Sequence, residues 1–96
     1  MATFISLLNF TEQGMRNLKE SPARLEGFRA LVASQGGTVK AAYWTLGTYD
    51  LVVIVEGGTE EAAMISALTV GSLGNVRGQT LLGFSADQIT EMIGKM

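Results

Sequence analysis

The run Leu51-Val52-Val53-Ile54-Val55 is apolar at every position and β-branched at four of its five residues. Residues of this kind favour strands. A strand normally alternates, because successive side chains point to opposite faces of its sheet. One that does not alternate requires cover on both faces. The flanking segments repeat the demand. Thr3 to Phe10 reads as a strand with Phe4, Leu8 and Phe10 on one side and Ile5 and Leu7 on the other. Thr38 to Leu46 reads as a second, with Val39, Ala41 and Tyr43 opposite Ala42, Trp44 and Leu46. The number of helices available then decides whether the chain can bury this sheet alone.

Helix signals are few. Thr11 to Lys19 is a polar connection with room for one helical turn, Met15 and Leu18 facing inward. Ser21-Pro22 is a helix start, with Ser at the N-cap and Pro at the first helical position. Leu25, Phe28, Leu31 and Val32 follow at helical spacing, and Gly36-Gly37 ends the run. Asp50 to Glu56 is the third strand, joined to the second by a tight Gly47-Thr48-Tyr49 hairpin. Thr59 caps a second helix whose first turn holds Glu60 and Glu61, where the helix dipole favours acid. That helix carries Ala63, Met64, Ala67 and Leu68 and stops between Gly71 and Gly74. Arg77 to Phe84 is the fourth strand, and Ser85-Ala86-Asp87-Gln88 is a capping box opening a short last helix.

The order is βαββαβ plus a C-terminal helix. Right-handed crossovers turn it into a ferredoxin-like α+β fold, a four-stranded antiparallel sheet with both main helices on one face. Two helices cover one face only. The second face is expected to meet another copy of the chain, as a homodimer or higher homo-oligomer; the alternative is that the last helix, about three turns long, folds back over it.

Ninety-six residues is the length of one domain, expected to span residues 1–96. A chain this short has a marginal core. It contains no cysteine and no histidine, so it lacks disulfides and the usual ligands of transition metals and haem. No metal and no cofactor are expected. Association is the remaining source of burial. The formal charge of −2, with seven scattered Lys and Arg, gives no basic stripe for nucleic acid. No apolar stretch reaches the length of a membrane span, and Met1 to Phe10 lacks the basic start and cleavage site of a signal peptide. The expected compartment is the cytoplasm.

Topology gathers polar residues from separate parts of the chain. The first two strands end where the last two begin, so Thr11 and Gln13, Tyr49 and Asp50, and Arg77 meet at one end of the sheet. Each has a structural explanation. Gly47 and Gly74 supply the positive φ of a turn and a helix end. Asp50 caps the hairpin backbone or pairs with Arg77, and Tyr49 is an amphipathic lid. Polar loop residues also carry function more often than core residues do. A carboxylate base such as Asp50 is chemically available for cofactor-free catalysis.

Thr11-Glu12-Gln13-Gly14, Ser21-Pro22-Ala23-Arg24, Leu46-Gly47-Thr48-Tyr49-Asp50 and Ser72-Leu73-Gly74-Asn75-Val76-Arg77 with Thr80-Leu81 lie in this order along nearly the whole chain. In them the chain resembles the GYD-domain family. The resemblance implies one half of a dimeric α+β barrel and brings no catalytic residue with it. Tyr43 to Leu82 is also similar, more weakly, to the effector-sensing domain of the feast/famine transcription regulators. It shares with them a strand ending in Gly-x-Tyr-Asp and a Gly-x-Val turn. In those regulators that corner binds amino acids between subunits, behind a DNA-binding helix-turn-helix that has no counterpart in this sequence.

Three functions follow as expectations. The first is a small-molecule-binding or sensing module, holding a small polar or acidic ligand near Thr11, Gln13, Tyr49, Asp50 and Arg77 at a subunit boundary. The second is a cofactor-free dimeric-barrel enzyme, an isomerase or oxygenase, with Asp50 or Tyr49 as acid or base. The third is a structural assembly protein.

Overall fold

The computed structural model describes residues 2–96. The elements are β1 (Thr3–Phe10), α1 (Glu12–Arg16), a 3-10 turn (Leu18–Glu20), α2 (Ser21–Ser34), β2 (Gly37–Trp44), β3 (Leu51–Gly57), α3 (Glu60–Ser72), β4 (Val76–Gly83) and α4 (Ala86–Gly94). The four strands form one antiparallel sheet in the order β2-β3-β1-β4. This is the ferredoxin-like arrangement, with α4 added at the end.

Local chemistry explains the boundaries. The Thr59 hydroxyl accepts from the Ala62 amide at 3.0 Å and opens α3. The Ser85 hydroxyl and the Gln88 carboxamide form a reciprocal capping box at α4. Gly47 and Gly74 take φ of +113° and +78°, the left-handed backbone their turns require. Ser21 differs from expectation. It is the first residue of α2 and makes no capping bond. Its buried hydroxyl instead accepts from the Trp44 indole at 3.0 Å, tying α2 to the end of β2.

Register assigns the faces. Phe4, Ser6 and Leu8 of β1 lie opposite Val55, Val53 and Leu51 of β3, on the side that carries the helices. Ile5, Leu7, Val52 and Ile54 lie on the other side, where Tyr43 and Leu81 join them from the outer strands. A bulge between Val39 and Ala41 breaks the alternation of β2. It inserts one residue, Lys40, so Val39 turns to the helix side with Ala42 and Trp44 rather than with Ala41 and Tyr43.

The core is small. Val32 of α2 packs with Val39, Leu51 and Val53, and Phe28 and Leu8 lie against that cluster. α2 lies mainly against β2, while α3 meets β4 and α2 to a similar extent. A cleft of about 760 Å³ remains between them, floored by the central strands β1 and β3. Met15 and Leu18, expected inside, are exposed. The inward position of α1 belongs to Gly14, which is buried against the backbone of Asn75.

Gly14 yields a prediction. A Cβ there would lie 1.9 Å from the Asn75 carbonyl oxygen, which cannot turn aside because it accepts from the Thr11 amide at 3.1 Å. Gly14→Ala is expected to destabilise the fold by about 1–3 kcal/mol through overpacking. A Cβ at Gly27, inside α2, meets nothing within 4 Å. Gly27→Ala is expected to stabilise by about 0.5–1 kcal/mol. Urea melts of the two variants check the pair. Equal midpoints would show that α1 is not seated against the α3–β4 turn.

Candidate functional site

The end of the sheet where β1 finishes is built by hydrogen bonds between distant segments. Thr11 sits at the N-cap of α1. Its hydroxyl accepts from the Gly14 amide at 3.1 Å and donates to the Gly74 carbonyl at 2.6 Å. The Gln13 carboxamide donates to the Leu73 carbonyl at 2.9 Å and to Asn75 Oδ1 at 3.1 Å. Thr11 and Gln13 thus hold α1 on the α3–β4 turn, and satisfy carbonyls that the end of α3 leaves over.

Asp50 does a similar job for the hairpin. Its Oδ2 accepts from the Phe10 amide at 3.0 Å, and its own amide donates to the Leu8 carbonyl at 2.8 Å. Of the two roles expected of Asp50, a cap on its own hairpin and a pair with Arg77, neither is observed: the carboxylate caps the backbone at the end of β1. No Asp50–Arg77 ion pair forms among the described residues, whose ion pairs are Arg16–Glu12, Arg29–Glu26 and Lys95–Glu91. Register is the reason. Arg77 pairs with Asn9 and belongs to the helix-free side of β4, whereas the Asp50 carboxylate is taken up by the β1 backbone.

Tyr49 stands on that helix-free side as well. Its hydroxyl accepts from the Gln79 carboxamide at 2.9 Å. Gln79 is two residues beyond Arg77 and so shares its face. Sequence reasoning missed Gln79, although the two-residue spacing from Arg77 was the signal that could have found it. The five sequence-derived residues therefore divide. Thr11 and Gln13 join the α3–β4 turn, Asp50 joins β1, and Tyr49 and Arg77 stand with Gln79 at one end of the open face.

Chemically this open-face group is a set of donors. Arg77 is exposed and makes no side-chain hydrogen bond or ion pair among the described residues. The Tyr49 hydroxyl accepts from Gln79 and so keeps its own proton to donate. Such a group suits a carboxylate or another small anion. Among the described residues there is no cluster of three or more acidic side chains arranged to hold a metal ion. No helix among them is long and apolar enough to cross a membrane.

Known proteins share this architecture. A protein of Thermus thermophilus named glutamine synthetase and cystathionine beta-lyase binding protein is 34% identical over 99 residues, covering 100% of this chain and 99% of its own. A crystal structure of a protein from Thermus thermophilus superposes with a TM-score of 0.56 at 26% identity, over 90% of this chain and 96% of that one. A feast or famine regulatory protein of M. tuberculosis, solved with L-methionine, superposes with a TM-score of 0.65 at 16% identity over 90% of this chain. This chain spans about half, 52%, of that regulator's length. The family model described as GYD domain matches residues 4–93, and the chain belongs to that family.

Proposed function

We propose that this chain is a small-molecule-binding module that works as a homo-oligomer, pairing through its helix-free sheet face and holding its ligand at the subunit boundary beside Tyr49, Gln79 and Arg77. The observation that carries this reading is the face itself. Ile5, Leu7, Val52, Ile54 and Leu81 share it on the side away from α2 and α3, and at its end stands an exposed, unengaged Arg77. Contiguous apolar surface of this kind marks an interaction site, and a two-fold axis lets one face serve both partners. α4 supports association as well. Its sequence is strongly amphipathic, yet Ile89, Met92 and Ile93 all remain partly exposed.

A carboxylate would meet Arg77 in a fork of hydrogen bonds. The regulatory protein of the same fold, solved with L-methionine, supports an amino acid as the first ligand to try. Thr11, Gln13 and Asp50 serve this site by holding the end of the sheet in place. Catalysis by Asp50 fits the geometry less well, because Oδ2 is already committed to the Phe10 amide.

A second reading has its own support. The 34% identical relative is named for binding two enzymes, and α3 here exposes Met64, Ile65 and Leu68 on its outer side. An apolar helix face of this kind is a surface for another protein. In this reading the chain is a docking module whose partner is a larger protein.

Two variants test the first reading. Leu81 is 41% exposed, so Leu81→Glu should leave the fold intact while placing a charge in the proposed interface. Sedimentation velocity at micromolar concentration is expected to show an oligomer for the native chain and a monomer for the variant. A monomeric native chain sinks the pairing. Arg77→Ala is expected to weaken binding of L-methionine, or of whichever amino acid binds in calorimetry, by tenfold or more, because a hydrogen bond to a charged group contributes about 1.5–3 kcal/mol. Its circular dichroism and oligomeric state should not change. If Arg77→Ala instead unfolds or dissociates without ligand, Arg77 is architecture, and the docking reading takes precedence.

A further inference from the structure

On the opposite face of the sheet, the cleft between α2 and α3 raises a separate question. Protein interiors are packed as densely as organic crystals and hold few voids larger than a water molecule. Here a volume of about 760 Å³ lies between helices and sheet, within the range of ligand sites. Its walls are apolar side chains, among them Phe4, Leu8, Phe28, Leu31 and Val53. The α3 side is lined by small residues, Ala62, Ala63, Ser66 and Ala67, which cannot reach across. α2 is held at the β2 side of the sheet, by the Ser21–Trp44 bond and by Val32 on Val39, Leu51 and Val53, and α3 meets β4, so a gap remains between them.

The charge of the lining is one-sided. Arg24 and Arg77 are the only charged residues that line the cleft among the described residues, and no carboxylate does, in a chain whose net charge is −2. Register turns the Arg77 side chain to the other face, which leaves Arg24. Arg24 stands in the first turns of α2. Its Nη1 donates to the Asn17 carbonyl at 2.9 Å, while its Nη2 is buried with no hydrogen-bond partner. A buried guanidinium nitrogen without an acceptor is costly. A small movement of the Arg24 side chain, which lines that end of the cleft, would bring this nitrogen to an anion and remove the cost.

We infer that this cleft binds an amphipathic monocarboxylate, with its apolar chain lying over β1 and β3 and its carboxylate at Arg24. The apolar walls take the chain without competition from water, since apolar cavities stay dry and accept apolar ligands. The single cation at one end fixes direction and selects an acid over a neutral or cationic amphiphile. This inference does not rest on the open-face site, which uses Arg77 and lies across the sheet.

Dodecanoate, below its micellar concentration, is the probe, with dodecanol as the neutral control and binding followed by calorimetry. The native chain is expected to bind dodecanoate at least tenfold more tightly than dodecanol. Arg24→Gln should remove that preference while leaving dodecanol binding unchanged. Ala67→Phe, which fills the cleft, should lose both ligands. In amide NMR spectra, dodecanoate should shift Gly27, Ala63 and Ser66 rather than Ile5 and Leu81. Should Arg24→Gln fail to fold, Ala67→Phe and the NMR map decide between the same outcomes. The inference is overturned if the native chain does not bind dodecanoate, if Arg24→Gln keeps the preference for the acid, if Ala67→Phe still binds, or if the shifts fall on the helix-free face.

Discussion

Two helices must cover a four-stranded sheet, and in this protein each is drawn to an outer strand. Val32 packs α2 on Val39 of β2 and on Leu51 and Val53 of β3, while α3 meets β4. A cleft remains between the helices above β1 and β3. Both central strands carry Phe, Leu, Val or Ile on each side: Phe4, Leu51 and Val53 are buried beneath the helices, and Ile5, Leu7, Val52 and Ile54 are half-buried on the other face. Burying a side chain of this kind contributes about 1.5–3 kcal/mol. That is a large fraction of the stability of a small domain, about 5–15 kcal/mol. Among the described residues no side chain is completely buried. Both the pairing reading and the cleft follow from this placement of the helices.

The same placement explains why the polar end of the sheet is so heavily bonded internally. α1 is too short to persist alone and has Gly14 rather than an apolar side chain at its inward position. Thr11 and Gln13 supply by hydrogen bonding what packing does not, joining α1 to the turn at Leu73 to Asn75. Asp50 does the same between β3 and the end of β1. Their polar groups are engaged by backbone before any ligand arrives. The residues left with capacity are the ones that face away from this network, Arg77 and the Tyr49–Gln79 pair.

Much of the fold was legible because its signals are local. Thr59, and Ser85 with Gln88, act within three residues of themselves, and the helices begin where those residues predict. The strand order follows from the element order and the handedness of crossovers. What was not legible depends on partners distant in sequence. Ser21 has the chemistry of an N-cap, but Trp44, 23 residues away, takes its hydroxyl. The Lys40 bulge adds one residue to β2 and reverses the face of Val39, which no alternation pattern records. Asp50 found the Phe10 amide before it found Arg77. The candidate site was legible as a neighbourhood, because strand directions bring those segments together. Side-chain direction was not, because a single step in register turns a residue to the opposite face. The cleft was not legible either, since it depends on where two helices rest rather than on any motif.

A sheet is one residue thick, and this sets a physical relation between its two faces. Leu8 and Val53 floor the cleft, while their immediate neighbours Leu7 and Val52 face the helix-free side and pair with one another across β1 and β3. A ligand that altered the twist or separation of these two strands from the cleft side would also move the surface through which a second copy would pair. Thermodynamic linkage then makes the effect reciprocal. An acid in the cleft that favours one strand geometry strengthens or weakens pairing by the same factor that pairing changes the acid's affinity. β4 extends the relation to Arg77, because it hangs on β1 alone within the sheet and carries Arg77 and Gln79 with it. Sensing in such a molecule needs no hinge between domains. It needs only a thin sheet with a binding surface on either side and two central strands common to both.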